Sequence, residues 1–264
     1  MPDLAIMEHA ALLDCAAADA RSLLAAARSH WTAEVPHCPG WDAAELVRHQ
    51  GSIFNWMAAI VSGGERVARG ELEPPPADSA KLPSWYLAGL EHALETLGSA
   101  APQSATWTFS SIGNQQVAWW NRRLAVEVAI HRFDAQYAVA ASGGAAAGGG
   151  AADSGAAPAA PLDGGVAAAG IEEFITEFLP GMLAKTAGAD LTGTLHLHAT
   201  DGPVEWWIDL GASGAALPEH AKADTAIRGT RSDLLLWLTN RDPAGQLDVF
   251  GQTDLSARWR QLRR

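Results

Sequence analysis

Glu127 and His131 stand four residues apart in the stretch Arg122 to Asp134, where apolar residues at 124, 128 and 130 alternate with charges as in a long helix. Four-residue spacing puts both side chains on one helix face, about one turn apart, so a carboxylate and an imidazole can grip one divalent ion. His49, inside a second helical pattern running Glu45 to Gln50, supplies a third donor. Two histidines and one glutamate from two helices match the ligand count of a catalytic zinc site with an open position. The same three side chains would also suit an ordinary interhelical hydrogen-bond or ion-pair network, and spacing alone leaves both readings open.

Positioning these residues requires helices. Residues 4 to about 30 carry an amphipathic pattern that includes Leu4, Met7, Leu12, Cys15, Leu23 and Leu24. The segment from Trp31 to Trp41, with Pro36 and Pro39, reads as a connector. Asp42, with Glu45 three residues on, predicts the cap of a second helix that Gly63-Gly64 ends. A proline-rich loop, 71–83, precedes a third helix expected over 84–97, with Trp85 and Leu87 on its inner side. The fourth begins near Gln116 and passes through Glu127 and His131 to about 140. Four helices with modest connections predict a bundle, and bundles build metal sites from facing helices.

Residues 141–165 are almost entirely Ala, Gly, Ser and Pro and read as a linker. Beyond it the pattern changes to a short helix over 171–183. A strand over 194–199 comes next, with Leu195 and Leu197 on one side and His196 and His198 on the other. Asp201-Gly202 marks a hairpin turn, and Val204 to Leu210 is the returning strand. Further strands are expected over 223–229 and 247–251. Thr230 with Asp233 reads as a cap for a helix over 232–239, and Leu255 to Leu262 as a closing helix. The expected organisation is therefore a four-helix bundle at 1–140, a linker at 141–165 and a small α+β domain at 166–264.

Composition excludes several functions. A formal charge of −12 and a pI near 5.1 argue against a nucleic-acid or anionic-membrane surface. No apolar run reaches the roughly 20 residues that span a bilayer. The N-terminus lacks the basic flank of a signal peptide. Two cysteines, Cys15 and Cys38, make no disulfide framework. The expectation is a soluble, cytoplasmic protein without nucleic-acid or membrane partners.

Pro36-His37-Cys38-Pro39-Gly40-Trp41, Leu46-Val47-Arg48-His49, and Arg122-Arg123 ahead of Glu127-x3-His131-Arg132-Phe133-Asp134 together resemble the mycothiol-dependent maleylpyruvate isomerase family of actinobacteria. The tail, with Arg228-Gly229-Thr230, Asp233-Leu234-Leu235 and Asn240-Arg241, is similar to that family's C-terminal domain. The resemblance implies a DinB-like four-helix bundle joined to a sterol-carrier-like α+β domain. It also implies one divalent metal, zinc above others, held by His49, Glu127 and His131, with mycothiol as thiol cofactor and a small electrophilic substrate. The implied reaction is the cis–trans isomerisation of maleylpyruvate to fumarylpyruvate. A thiol becomes a strong nucleophile once metal coordination removes its proton. It could then add to an activated alkene, allow rotation, and leave. A cation that orients the substrate carboxylates would stabilise the enolate formed on addition. Matching the family's tail makes Arg241 the first candidate for that role and Arg228 the second. Two alternatives stay open: a mycothiol S-transferase acting on another electrophile, or a descendant that binds a ligand without catalysis.

Other residues carry blander readings. Cys38 reads as a buried loop cysteine. His196 and His198 share a strand face but have no third metal donor nearby in sequence, so they read as solvated polar positions. Arg122, Arg123 and Arg132 suit either a ligand-binding surface or surface ion pairs. The eleven tryptophans mostly fall at helical spacing and read as core, with Trp56 and Trp120 as possible pocket walls.

Overall fold

The computed structural model describes residues 7–146, 159–185, 191–211, 215–216, 223–252 and 254–260. The chain divides into two units. One consists of Glu8–Phe109 and Asn114–Pro161; the other contains Leu162–Arg264 and the short segment Ser110–Gly113.

The first unit is built from α1 (His9–Ala27), α2 (Ala43–Gly63), α3 (Leu82–Ser99) and α4 (Val117–Ala146). Local chemistry sets their ends. The Asp42 side chain accepts from the Glu45 amide at 2.8 Å, satisfying one of the free donors at the start of α2. Gly64 closes the same helix in the left-handed conformation (φ 72°), which costs a glycine nothing. The helix α3 starts at Leu82, two residues before the expected start, because Pro83 fits the first turn where no amide partner is lost. α1 packs along α4, and α2 along α3.

Two expected features of this unit differ. Tyr86, with Leu82, Leu90, Ala93 and Leu97, forms the buried stripe of α3, while Trp85 and Leu87 are only half-buried. Tyr86 reaches a partner for its hydroxyl, the Ala20 carbonyl at 3.1 Å, which makes deep burial of a phenol tolerable. Trp85 lies instead over Gly51, where a Cβ would sit 2.3 Å from the indole, so the indole occupies the space that a side chain on α2 would take. Trp120 is fully buried, and with Trp56, Trp107, Phe109 and Trp119 it makes an aromatic cluster.

Helix α4 continues to Ala146, beyond the expected boundary at 140, and the Ser142 hydroxyl in this extension donates to the Ala138 carbonyl. Residues 147–158 of the expected linker lie outside the described residues. Those at 159–161 are held by Arg132. Its guanidinium donates to the Ala160 and Pro161 carbonyls, the latter at 2.9 Å, and to Asp19 at 3.1 Å. Arg132 is thus a buried clasp, neither of the two roles that the sequence suggests for it.

The second unit opens with α5 (Gly164–Glu173), capped by Asp163, which accepts from the Gly165 and Val166 amides. A π turn (Phe174–Phe178) links it directly to α6 (Leu179–Lys185), so one helical run from Gly164 replaces the short helix expected from 171. Buried Glu177 sits in the π turn. It accepts from the Ser110 hydroxyl at 2.9 Å and from the Ser111 amide at 2.8 Å.

The sheet contains β1 (Thr194–Ala199), β2 (Glu205–Asp209), β3 (Ala215–Ala216), β4 (Thr225–Gly229) and β5 (Asp248–Gly251), in the order β3-β2-β1-β4-β5. β1 pairs antiparallel with β2 and parallel with β4. Leu195, Leu197 and Ala199 are buried, and His196 and His198 face the other way, as the alternation predicts. Between β4 and β5 lies α7 (Arg231–Leu238), with Thr230 accepting from the Asp233 amide at its start. The last element is α8 (Leu255–Trp259). A helical unit succeeded by a mixed α+β unit is the expected fold class. Among the described residues no helix is long and apolar enough to cross a membrane.

Candidate metal centre

His49 points from α2 towards Glu127 and His131 on α4. His49 Nε2 lies 3.1 Å from Glu127 Oε1, and His131 Nε2 lies 3.3 Å from the same oxygen. One donor atom from each of the three residues falls within 4.8 Å of the others. A zinc ion with bonds of about 2.0–2.2 Å needs neighbouring ligands roughly 3.3 Å apart, so the separations of 3.1 and 3.3 Å suit its coordination sphere. Two imidazole nitrogens and one carboxylate oxygen also suit a borderline ion such as zinc better than calcium or magnesium. The residues present therefore fit a divalent metal.

Behind these donors stands a group of residues that the sequence reading missed. His131 Nδ1 lies 3.0 Å from Oδ2 of Asp134, which is fully buried. A carboxylate there holds the proton on Nδ1 and leaves the Nε2 lone pair free to face a metal. His37 Nδ1 lies 3.2 Å from the other carboxylate oxygen of Asp134, and Cys38 Sγ contacts Oδ2 at 3.7 Å. Cys38 is only half-buried, not the buried loop cysteine expected, and it lies beside the Asp134 carboxylate. Asp134 lies three residues after His131, and Arg123 four before Glu127. Helical spacing could have found both.

Charge compensation is built into α4. Burial works to raise the Glu127 carboxyl, but the Arg123 guanidinium and hydrogen bonds to His131 and His49 outweigh it and hold the group well below its ordinary range. For His131 burial works to lower the imidazole. Hydrogen bonds to Asp134, Cys38 and Glu127 overcome it and hold the group well above its ordinary value. Arg123 pairs with Glu127 directly, which makes it a site partner and not a surface ion pair.

Next to His49 opens a cleft of about 550 Å³, lined by Trp41, Arg48, Ser52, Asn55, Arg69 and Glu73 among others. This volume is in the range of small-molecule sites. Trp41 packs against the His49 ring at 4.8 Å between centroids. Arg48 fixes the cleft's proline-rich rim, donating to the Pro76 carbonyl at 3.1 Å and to the Ala77 carbonyl at 2.9 Å. Arg69 stacks over Trp56 at 4.6 Å and presents a second cation to the same space.

The arginines of the second unit have different settings. Arg241 is buried and donates from Nη1 to the Thr239 carbonyl at 2.8 Å, just past a left-handed Asn240 (φ 60°). It therefore satisfies a carbonyl at the C-terminal end of α7, as the dipole of that helix favours. Arg228 is exposed on β4, where its register partners are His198 on β1 and Asp248 on β5.

A helical unit that gathers two histidines and a glutamate, joined in sequence to a mixed α+β unit, defines a class of two-unit proteins with a candidate divalent-metal centre. Profiles of the mycothiol maleylpyruvate isomerase N-terminal domain and the MDMPI C-terminal domain match residues 13–136 and 165–258, and the chain belongs to this family. Two solved structures have the same fold. One, described as the mycothiol-dependent maleylpyruvate isomerase, aligns with a TM-score of 0.57 at 14% identity, covering 94% of this chain and 95% of that one. A histidine-to-alanine mutant of that enzyme aligns with a TM-score of 0.54 at 12% identity, covering 90% and 91%. No curated protein sequence matches.

Proposed function

We propose that this protein is a metal-dependent, mycothiol-using isomerase that converts maleylpyruvate, or a closely related cis-alkene diacid, to its trans isomer. The observation that carries this reading is the convergence of His49, Glu127 and His131, beside an open cleft, in a chain of this family. Bound together, a zinc-class ion and the thiol would supply the chemistry: a deprotonated sulfur that adds to the alkene, frees rotation and departs.

The chain's own residues prepare for that chemistry. Glu127 is kept ionised by Arg123, so it is ready to face a cation without first losing a proton. Asp134 fixes the orientation of His131 through Nδ1. Trp41 limits the swing of His49 and excludes water from one side of it. Arg69 presents a cation to the cleft, where an anionic substrate or the polar parts of a thiol cofactor would be received, while Arg48 there is paired with Glu45. The role of orienting substrate carboxylates is assigned to Arg241, with Arg228 second, on the strength of the family's tail motif.

The test is turnover of maleylpyruvate to fumarylpyruvate by zinc-loaded protein, with and without mycothiol. Mycothiol-dependent conversion that disappears in His131→Ala supports the proposal. Mycothiol consumption without isomerisation, on a panel of electrophiles, would replace it with the S-transferase reading. Neither activity from fully metallated protein would leave a ligand-binding descendant. For Arg241 the discriminating variant is Arg241→Lys. A bidentate contact with a carboxylate is lost on this change, so turnover falls while metal content stays, whereas a cation that only caps α7 is replaced by lysine without loss.

A further inference from the structure

His196 and His198 have a third donor after all, supplied by the partner strand. In the antiparallel register of β1 and β2, His198 lies opposite Glu205 and His196 opposite Trp207. All four side chains therefore project from one face of the sheet. Glu205 Oε1 is 2.7 Å from His198 Nδ1, and Oε2 is 3.1 Å from His196 Nε2. One donor atom from each of the three residues lies within 4.8 Å of the others. We propose that His196, His198 and Glu205 form a second divalent-metal site, on the hairpin of the C-terminal unit.

Two further observations support a built site over a chance meeting of polar side chains. Trp207 stacks flat on His196, with centroids 4.3 Å apart and planes within 7°, which fixes the ring plane and aims Nε2 along the sheet. The two imidazoles meet edge to face at 5.9 Å, so they flank the carboxylate without stacking on each other. The side chains are also reachable: 20%, 38% and 32% exposed for His196, His198 and Glu205. An ion can thus enter from solvent and keep an open coordination position there. Arg228, beside His198 on β4, is exposed and is the register partner of Asp248, so the cation next to the site has a carboxylate neighbour of its own.

Two imidazoles with one carboxylate select a zinc-class transition ion over calcium or magnesium. The site is independent of the centre on α2 and α4, and so is its test. Full-length His131→Ala, in which the first centre has lost a ligand, is dialysed against zinc alone at neutral pH, and bound zinc is counted. One equivalent is expected to remain. Adding His198→Ala, or separately Glu205→Gln, should weaken that binding by about a hundredfold or more, with an unchanged circular dichroism spectrum. Glu205→Gln preserves side-chain shape, so it decides the matter if His198→Ala disturbs the hairpin. No zinc on His131→Ala protein, or zinc retained after both hairpin changes, overturns the proposal.

Discussion

In the helical unit the cluster of two histidines and a glutamate draws on residues 78 positions apart, and the bundle must form before the donors meet. In the C-terminal unit the same three residue types come from one hairpin, with donors nine positions apart at most. Their surroundings differ as much as their origins. Glu127 has Arg123 at its side, and His131 has Asp134 and Cys38 behind it. On the hairpin, Trp207 supplies an aromatic face and Glu205 is the shared partner. The contrast shows two ways to keep candidate metal donors together in an aqueous protein. One sets the protonation states with buried charges; the other lets strand register hold the donors where solvent can reach them.

The largest expected effect comes from breaking the buried cluster. Under the proposed function, His131→Ala should lower turnover by about a thousandfold or more, because one of the three proposed ligands of the ion is gone. Zinc analysis of the purified variant, which should lose one equivalent and keep the one proposed for the hairpin, checks this alongside a maleylpyruvate assay. Persistence of activity would remove the α2–α4 centre from the reaction. Asp134→Asn comes next. The amide keeps the shape but no longer supplies a carboxylate for the His131 Nδ1 proton, so zinc affinity should fall about 10–100-fold in a protein that still folds. An affinity equal to wild type, measured by chelator competition, would mean that Asp134 serves only packing.

Protonation sharpens the comparison further. Glu127, held low, contributes stability above the ordinary value of 4.5 and loses it as pH falls through its depressed value. His131, held high, contributes below the ordinary value of 6.5 and loses it as pH rises through its raised value. Metal-free protein therefore has both contributions in full between pH 4.5 and 6.5. Zinc must displace the His131 proton, so its affinity should drop by up to about tenfold for each pH unit below the raised value. Isothermal titration across that range should show one proton released per ion bound at the lower pH. Zinc binding with no proton release there would contradict the assigned protonation state.

Fold and site were legible to different degrees. Glu127 and His131 stand out because helical spacing is a local signal, His49 because it falls inside a second helical pattern, and the family motifs then join the three. Asp134 and Arg123 obey the same spacing, yet charged residues every three or four positions are ordinary on a helix, so the spacing that could have found them does not single them out. Glu205 is hidden for a different reason. The Asp201-Gly202 turn predicts the hairpin, but only the register of the pairing says which residue of β2 faces His198. Hydrophobicity alone places Trp85 inwards. The buried stripe instead follows the helical period through Tyr86, whose hydroxyl has a carbonyl to meet.

The smallest expected effect is a control within the second unit. Thr230→Ala removes the acceptor for the Asp233 amide at the start of α7 and should cost about 1 kcal/mol in denaturant unfolding. It should leave zinc at the α2–α4 centre unchanged. A loss of that zinc would show that the two units do not hold their donors independently.

The π turn at Phe174–Phe178 gives the chain an evolutionary joint. A π turn holds one residue more than the α pitch needs, so a length change of one codon can be absorbed there while the helices on either side survive. Deleting one residue there would restore the α pitch and leave the faces of α5 and α6 in their present register. Glu177 sits within this widened turn, where its carboxylate meets Ser110 and Ser111. The place where the chain tolerates a change of one codon is thus also the place that fastens the segment at 110–113, in a part of the gene far from any residue of the candidate metal centre.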